Sequence, residues 1–159
     1  MLVLDWVGLM KIYLDSCCLN RPFDNLSDDV VRMEAEAVMA IIDRCESGEW
    51  GFYTSDALFD EIDNMPDLNR KQKVLILYQS ATGHIDLTAE IISRAKELER
   101  FNIKAYDALH LASAETRAVD IFLTTDRRLL NAVERSNTTI NANNPLLWLT
   151  KELYSGHQS

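Results

Sequence analysis

The chain has 159 residues, enough for one domain with a buried core that needs neither disulfides nor a structural metal. Apolar residues make up 47% and charged residues 26%, an ordinary globular balance, and no apolar run reaches the roughly 18 residues that a bilayer span demands. The net charge of −9 argues against a long electrostatic footprint on nucleic acid, so a nucleic-acid enzyme of this composition needs a local basic rim, a bound cation, or both.

Residues 1–9 are hydrophobic but lack a basic start and carry Asp5, so they are read as an extra N-terminal segment rather than a signal peptide. Met10 is then a plausible physiological start. Cys17, Cys18 and Cys45 are an odd number with two adjacent, which points to reduced thiols and a cytoplasmic location. His84, His110 and His157 are too scattered to form a zinc set with them.

Ile12-Tyr13-Leu14 is a short apolar run ending at Asp15 and a polar loop, which predicts a buried strand. Ser27, followed by Asp28 and Asp29, marks a helix start; Val30, Glu34, Val38, Ile41, Ile42 and Cys45 continue it at helical spacing until Gly48. Phe52-Tyr53-Thr54 predicts a second strand, Ser55 caps a helix through about Asn64, and Pro66 breaks it before a helix over 67–80. Ile85-Asp86-Leu87 predicts a third strand, and Thr88 caps the helix that follows. A helix over 105–117 leads into the clearest strand, 121–124, and another helix over 126–135. Thr139-Ile140 is expected to pair at an edge, with a last helix after Pro145.

Short apolar strands alternating with helices predict a three-layer α/β/α sandwich, Rossmann-like, with a mostly parallel central sheet. A single domain is expected over 10–153, with a C-terminal tail at 154–159. Ligands in such folds gather beyond the carboxyl ends of the strands. Asp15 and Asp126 each stand just past such an end, while Glu61 and Asp107 lie on helices entered soon after strands or turns.

Five glycines without GxGxxG or GxxxxGK[ST] exclude a backbone cradle for dinucleotide or triphosphate. GxSxG and HExxH are also absent. What remains is acids at strategic positions. Each alone has a plain explanation: Asp126, for instance, is equally well read as a helix N-cap. Asp107 and Glu61, however, share helix faces with Leu111, Ala114, Leu58 and Ile62, and a carboxylate on a half-buried face needs a partner. Two carboxylates ~4 Å apart repel by about 4 kcal/mol at an effective dielectric of ~20, so an acid quartet needs protonation or a cation. Oxygen ligands without Cys or His favour Mg²⁺ or Mn²⁺, and such ions suit phosphodiester hydrolysis.

Ile-Tyr-Leu-Asp-Ser (12–16), Thr-Ser-Asp-Ala-Leu-Phe-Asp-Glu-Ile (54–62), Asp-Ala-Leu-His-Leu-Ala (107–112) and Leu-Thr-Thr-Asp (123–126) together resemble the PIN-domain family, particularly VapC-like toxins of toxin–antitoxin pairs. Each motif alone is weak; four in this order are specific, and the likeness runs from about Met10 to Trp148. It implies a metal-dependent ribonuclease in which Asp15 and Asp107 ligate Mg²⁺ or Mn²⁺ most directly. Glu61 then helps hold metal or orient water, and Asp126 completes the site. Ser16, Thr124 and Thr125 are implied as hydroxyls supporting those acids, with local turn or cap bonding the equal alternative. Arg21 is a candidate RNA contact.

The resemblance also implies a small antitoxin that covers the site, and a homodimer. Leu2-Val3-Leu4-Asp5 mimics the catalytic strand, but the polar loop and motif spacing favour Asp15. Arg21, Arg70, Lys71, Lys73, Arg127 and Arg128 are candidates for a basic rim, against solvated helix faces as the plainer account. The competing readings are a non-catalytic PIN-like RNA- or protein-binding module and a housekeeping RNA-processing nuclease.

Overall fold

The structure, a computed structural model, describes residues 8–158; Asp5 and the rest of 1–7 lie outside the described residues. Among the described residues five strands form one sheet: β1 (Met10–Leu14), β2 (Trp50–Ser55), β3 (Gly83–Ile85), β4 (Ile121–Leu123) and β5 (Ala142–Asn143). Their order is β3-β2-β1-β4-β5 and every pairing is parallel. The chain winds outward from β1 through β2 to β3, then returns to lay β4 against the other side of β1. The topological switch therefore falls between β1 and β4.

Alternation along the strands builds two cores. Ile12, Leu14, Phe52, Ile121 and Leu123 face α1 (Ser16–Asn20), α2 (Asp29–Glu46), α3 (Asp56–Asp63), α4 (Leu68–Tyr78) and α8 (Pro145–Gln158). Tyr13, Tyr53 and Phe122, one residue out of phase, face α5 (Ala89–Glu99), α6 (Ala105–Arg117) and α7 (Arg127–Arg135). Strands buried on both faces read as unbroken apolar runs, which is why β1 and β4 stand out in the sequence. The α/β/α sandwich is the expected one. No helix among the described residues is long and apolar enough to cross a membrane.

The helices start where side chains satisfy orphan amides. Ser55 accepts from Leu58 N at 3.0 Å, Asp67 from Arg70 N at 3.1 Å and Thr88 from Ile91 N at 3.2 Å. The cap of α2 is Asp28, which accepts from Val31 N at 3.0 Å, one residue past the expected Ser27.

Four further expectations shift. The polar loop after Asp15 is instead the short helix α1 followed by a 3₁₀ turn (Arg21–Phe23). The third strand is Gly83–Ile85 rather than 85–87, because the Leu87 amide is drawn off to Asp56 Oδ2 at 2.7 Å. The edge strand is Ala142–Asn143, not Thr139-Ile140. Ile140 N donates to Thr138 Oγ1 at 3.2 Å and Thr139 N to Glu115 Oε2 at 3.4 Å, so those amides are unavailable to the sheet. Helix α8 runs through Gln158, across most of the segment set apart as a tail.

Candidate active site

Asp15 follows β1 directly and is 1% exposed. Its Oδ1 accepts from Cys18 N at 3.1 Å, so the carboxylate caps α1 and is fixed at the carboxyl end of the central strand. Burial pushes its pKa up, against the Thr124 hydroxyl, the Cys18 amide and the nearby His110. The Cys17 thiol lies 3.5 Å from Asp15 Oδ2, and burial with that carboxylate holds it protonated. All three cysteines are free thiols.

Across the switch point, β4 ends at Leu123 and Thr124 is fully buried. Thr124 Oγ1 accepts from Asp126 N at 3.1 Å. Asp126 caps α7, its Oδ1 accepting from Arg128 N at 2.9 Å and Leu129 N at 3.3 Å. The N-cap reading of Asp126 is thus structurally correct. It does not compete with a role at the site, because only one carboxylate oxygen is engaged by those amides.

Glu61 sits on the face of α3 turned towards α6. His110 Nε2 lies 2.8 Å from Glu61 Oε1. Burial works to raise the Glu61 pKa, but the hydrogen bond and charge of His110, with the Ser16 hydroxyl, outweigh it and hold the carboxyl below its usual range. Asp107, in the first turn of α6, has no such support. Burial, reinforced by the charges of Asp15, Glu61 and Asp126 and opposed by His110, pushes its pKa up to about 6. Carboxylates from four separate segments therefore act on one another here, at the carboxyl edge of β1 and β4.

They do not all reach ligand distance. Among the described residues, no three of these acids bring their oxygens within 4.8 Å of one another; the group that does is Asp56, His84 and Asp86, beyond β2 and β3 at the other side of the sheet. That cluster is exposed and internally satisfied. His84 Nε2 donates to Asp56 Oδ1 at 2.7 Å, and the Leu87 amide with His84 keeps Asp56 below its usual pKa. Its evident work is to tie β3 to α3.

Ser16 and Thr124 touch Glu61 and Asp15 respectively, whereas Thr125 faces the Cys17 thiol. Arg21 is occupied by carboxylates: its Nη1 donates to Asp24 Oδ2 and its Nε lies 3.0 Å from Glu34 Oε1. Arg70 is held by Asp24 and Lys71 by Asp63, and Lys73 lies over the Phe23 ring. Of the candidate basic rim, Arg127 and Arg128 alone have no side-chain partner among the described residues.

Sequence reasoning missed His110. It is fully buried, and its Nδ1 lies 2.7 Å from Tyr13 Oη, itself 2.6 Å from Ser55 Oγ. The available signal was its position one turn after Asp107, on the same helix face.

A parallel α/β sandwich with interacting carboxylates at its topological switch defines a protein with a polar, acid-lined site beyond the carboxyl ends of its central strands. The PIN domain family profile matches residues 12–135, and the chain belongs to that family. Its fold is similar to that of VapBC2 from Rickettsia felis bound to a promoter DNA fragment: 16% identity, TM-score 0.57, covering 85% of this chain and 98% of that one. It is also similar to DNA-bound VapBC from Salmonella typhimurium, at 14% identity and TM-score 0.60 over 86% and 99% of the two chains. PAE2754 from Pyrobaculum aerophilum is a third similar structure, at 14% identity and TM-score 0.56 over 92% and 96%. No curated protein sequence matches the chain.

Proposed function

We propose that this chain is a Mg²⁺- or Mn²⁺-dependent endoribonuclease that hydrolyses RNA phosphodiester bonds and serves as the toxin of a toxin–antitoxin pair. The observation carrying this reading is that Asp15 and Asp126 stand past the carboxyl ends of β1 and β4, with Asp107 lining the same cavity as Asp126, and Asp15 and Glu61 close enough for their charges to raise the Asp107 carboxyl. Such a cluster is costly when ionised, and a divalent cation relieves that cost with the all-oxygen donors it prefers. PIN domains are generally nucleases. The fold likeness to VapBC complexes supports the toxin role and an antitoxin partner.

Asp15 and Asp107 would hold the ion, with Glu61 and the free oxygen of Asp126 completing the donor set. A cation bound there would neutralise charge on the scissile phosphate and acidify a water for attack. The chain's own contribution is placement. The Cys18 amide and Thr124 hydroxyl fix Asp15, while His110 and Ser16 keep Glu61 ionised and aimed at its neighbours. Exposed apolar side chains on α2 (Val30, Met33 and Met39) and on α8 (Leu147) are available to a protein partner, antitoxin or second copy.

The test is cleavage of single-stranded RNA by the wild type with Mn²⁺, with Mg²⁺ and with chelator. Asp15→Asn and Asp107→Asn should abolish cleavage while circular dichroism stays native, and Asp5→Asn should leave it unchanged. An Asp107→Asn protein as active as wild type would move the assignment to a non-catalytic RNA- or protein-binding module. A small adjacent reading frame encoding a DNA-binding protein would separate toxin from housekeeping nuclease.

A further inference from the structure

Beside the acids lies a cavity of about 280 Å³, walled on one side by the entry to α6 and on the other by α7. We infer that this cavity is a subsite for one nucleotide of a single-stranded RNA, lying next to the scissile bond; the inference rests on the nuclease reading above.

Three observations converge on it. The first is charge. In a chain with 25 acids and 16 bases, cations are readily neutralised, and Arg21, Arg32, Arg44, Arg70, Lys71 and Arg94 all sit in ion pairs. Lys104, Arg128 and Arg135 line this cavity, and none has a side-chain partner among the described residues. Unpaired cations around one cavity in an acidic protein are the local basic rim that its net charge demands.

The second observation is chemistry. The cavity has an apolar floor of Ile103, Leu129 and Ala132, each 4% exposed, against which a base can lie flat. The amides of Asn102 and Asn131 stand at its edge, able to donate and accept with a base. Apolar floor, amide edge and cationic rim correspond to the three parts of a nucleotide. A volume near the lower end of small-ligand sites admits one nucleotide and not a duplex.

The third is direction. Arg128, Asn131, Ala132 and Arg135 fall on one stripe of α7, so the cations run about 10 Å along the helix, away from Asp126 at its N-cap. Opposite them, α6 begins at Lys104 with no side-chain cap, which leaves its first amides and positive dipole end for an anion. A strand threaded along α7 has one phosphate at Asp107 and Asp126 and the next at the basic rim. An acidic peptide lacks the phosphate that a cation can bridge, and it is repelled by the two carboxylates.

Binding of a mixed-sequence single-stranded RNA dodecamer, followed by fluorescence anisotropy in chelator at low salt, tests the subsite without cleavage. The Arg128→Ala/Arg135→Ala variant should bind at least roughly tenfold more weakly, with the salt slope shallower by about one unit per cation removed. Lys104→Ala should add to the loss, and Lys96→Ala, exposed on α5 and outside the cavity lining, should bind as wild type. Asn131→Ala should change preference among homopolymers more than overall affinity. Unchanged binding in the double variant, or a loss matched by Lys96→Ala, overturns the subsite, as does loss of acidic-peptide binding with RNA binding retained. Should the variants lose RNA while the wild type never cleaves with Mn²⁺, the subsite stands and the nuclease reading falls. Should cleavage by the wild type proceed with KM unmoved in the variants, the nuclease stands and the subsite falls.

Discussion

His110 Nε2 donates to Glu61 Oε1 across 2.8 Å, joining α6 to α3 through a ring with no solvent exposure. An ionised carboxylate only accepts, so Nε2 carries a proton. On the other side of the ring Nδ1 lies 2.7 Å from Tyr13 Oη, which lies 2.6 Å from Ser55 Oγ, itself the acceptor of the Leu58 amide. Glu61 is thus held by a chain of polar contacts rooted in β1 and β2.

Replacing His110 therefore acts on Glu61 without touching substrate. His110→Ala should lower metal-dependent cleavage roughly 10- to 100-fold, the usual cost of losing a group that orients a ligand. It should also destabilise the fold by about 2–4 kcal/mol, from the void and the stranded Tyr13 hydroxyl. Denaturant melts and initial rates at saturating metal separate the two effects, since a loss of activity beyond the unfolded fraction belongs to Glu61. A His110→Ala protein of native stability and full activity would show the ring to be dispensable.

Asp107 makes the metal-free protein sensitive to pH. Its folded pKa of about 6 lies above the unfolded value near 3.9, so the unfolded chain ionises first. The stability this group contributes is complete below about pH 4 and is lost as pH rises through 6. At most about 3 kcal/mol is involved. Glu61, Glu115 and Asp56, whose pKa values are lowered, act in the opposite sense, losing stability as pH falls. The informative quantity is the difference between Asp107→Asn and wild type in chelator. It should be small near pH 4 and grow in favour of the variant up to pH 7; a constant difference would refute the burial argument.

How much of this was readable in advance follows from where the determinants lie. The strands β1 and β4 are apolar on both faces, and Asp15 and Asp126 end or follow them, so their placement was legible. The short strands β3 and β5 were misplaced, because two or three residues carry no period and their position depends on distant amide partners. Gly83 shows the kind of constraint involved: a Cβ there would come within 2.5 Å of the Tyr53 ring, thirty positions earlier. His110 was missed for the same reason. Its partner Glu61, like the Glu34 that Arg21 meets, is set by packing, and nothing in local spacing separates a ring facing solvent from one closing a relay.

Ala118 ends α6 with φ 49°, in the left-handed region, and its amide donates to the Ala114 and Glu115 carbonyls. A side chain there costs about 1–2 kcal/mol, and glycine is the usual occupant of this position. Ala118 is exposed, so removing its methyl group forfeits no packing. Ala118→Gly should therefore raise stability by about 0.5–1 kcal/mol, net of the added freedom of the unfolded chain, as a higher urea midpoint with unchanged slope. A lower midpoint would mean that the helix does not end in this conformation.

Metal titration decides between the two acidic groups that the fold displays. Any ion that binds the folded chain alone raises its melting temperature, by the equivalent of about 2.7 kcal/mol at a hundred times its dissociation constant. If the ion is held at the β1–β4 switch, Mn²⁺ or Mg²⁺ should stabilise the wild type more at pH 7.5 than at pH 5. The reason is that protons compete for Asp107, whose pKa is about 6. Asp107→Asn should abolish most of the metal-induced shift. Asp56→Asn should retain it in full, although that variant starts from a lower baseline through loss of charge at the Leu87 and His84 contacts. The reverse pattern, with the shift surviving in Asp107→Asn and vanishing in Asp56→Asn, would move the ion to the β3 side of the sheet. Asp15 and Asp126 would then be left as helix caps, and Glu61 and Asp107 as half-buried acids without a metal.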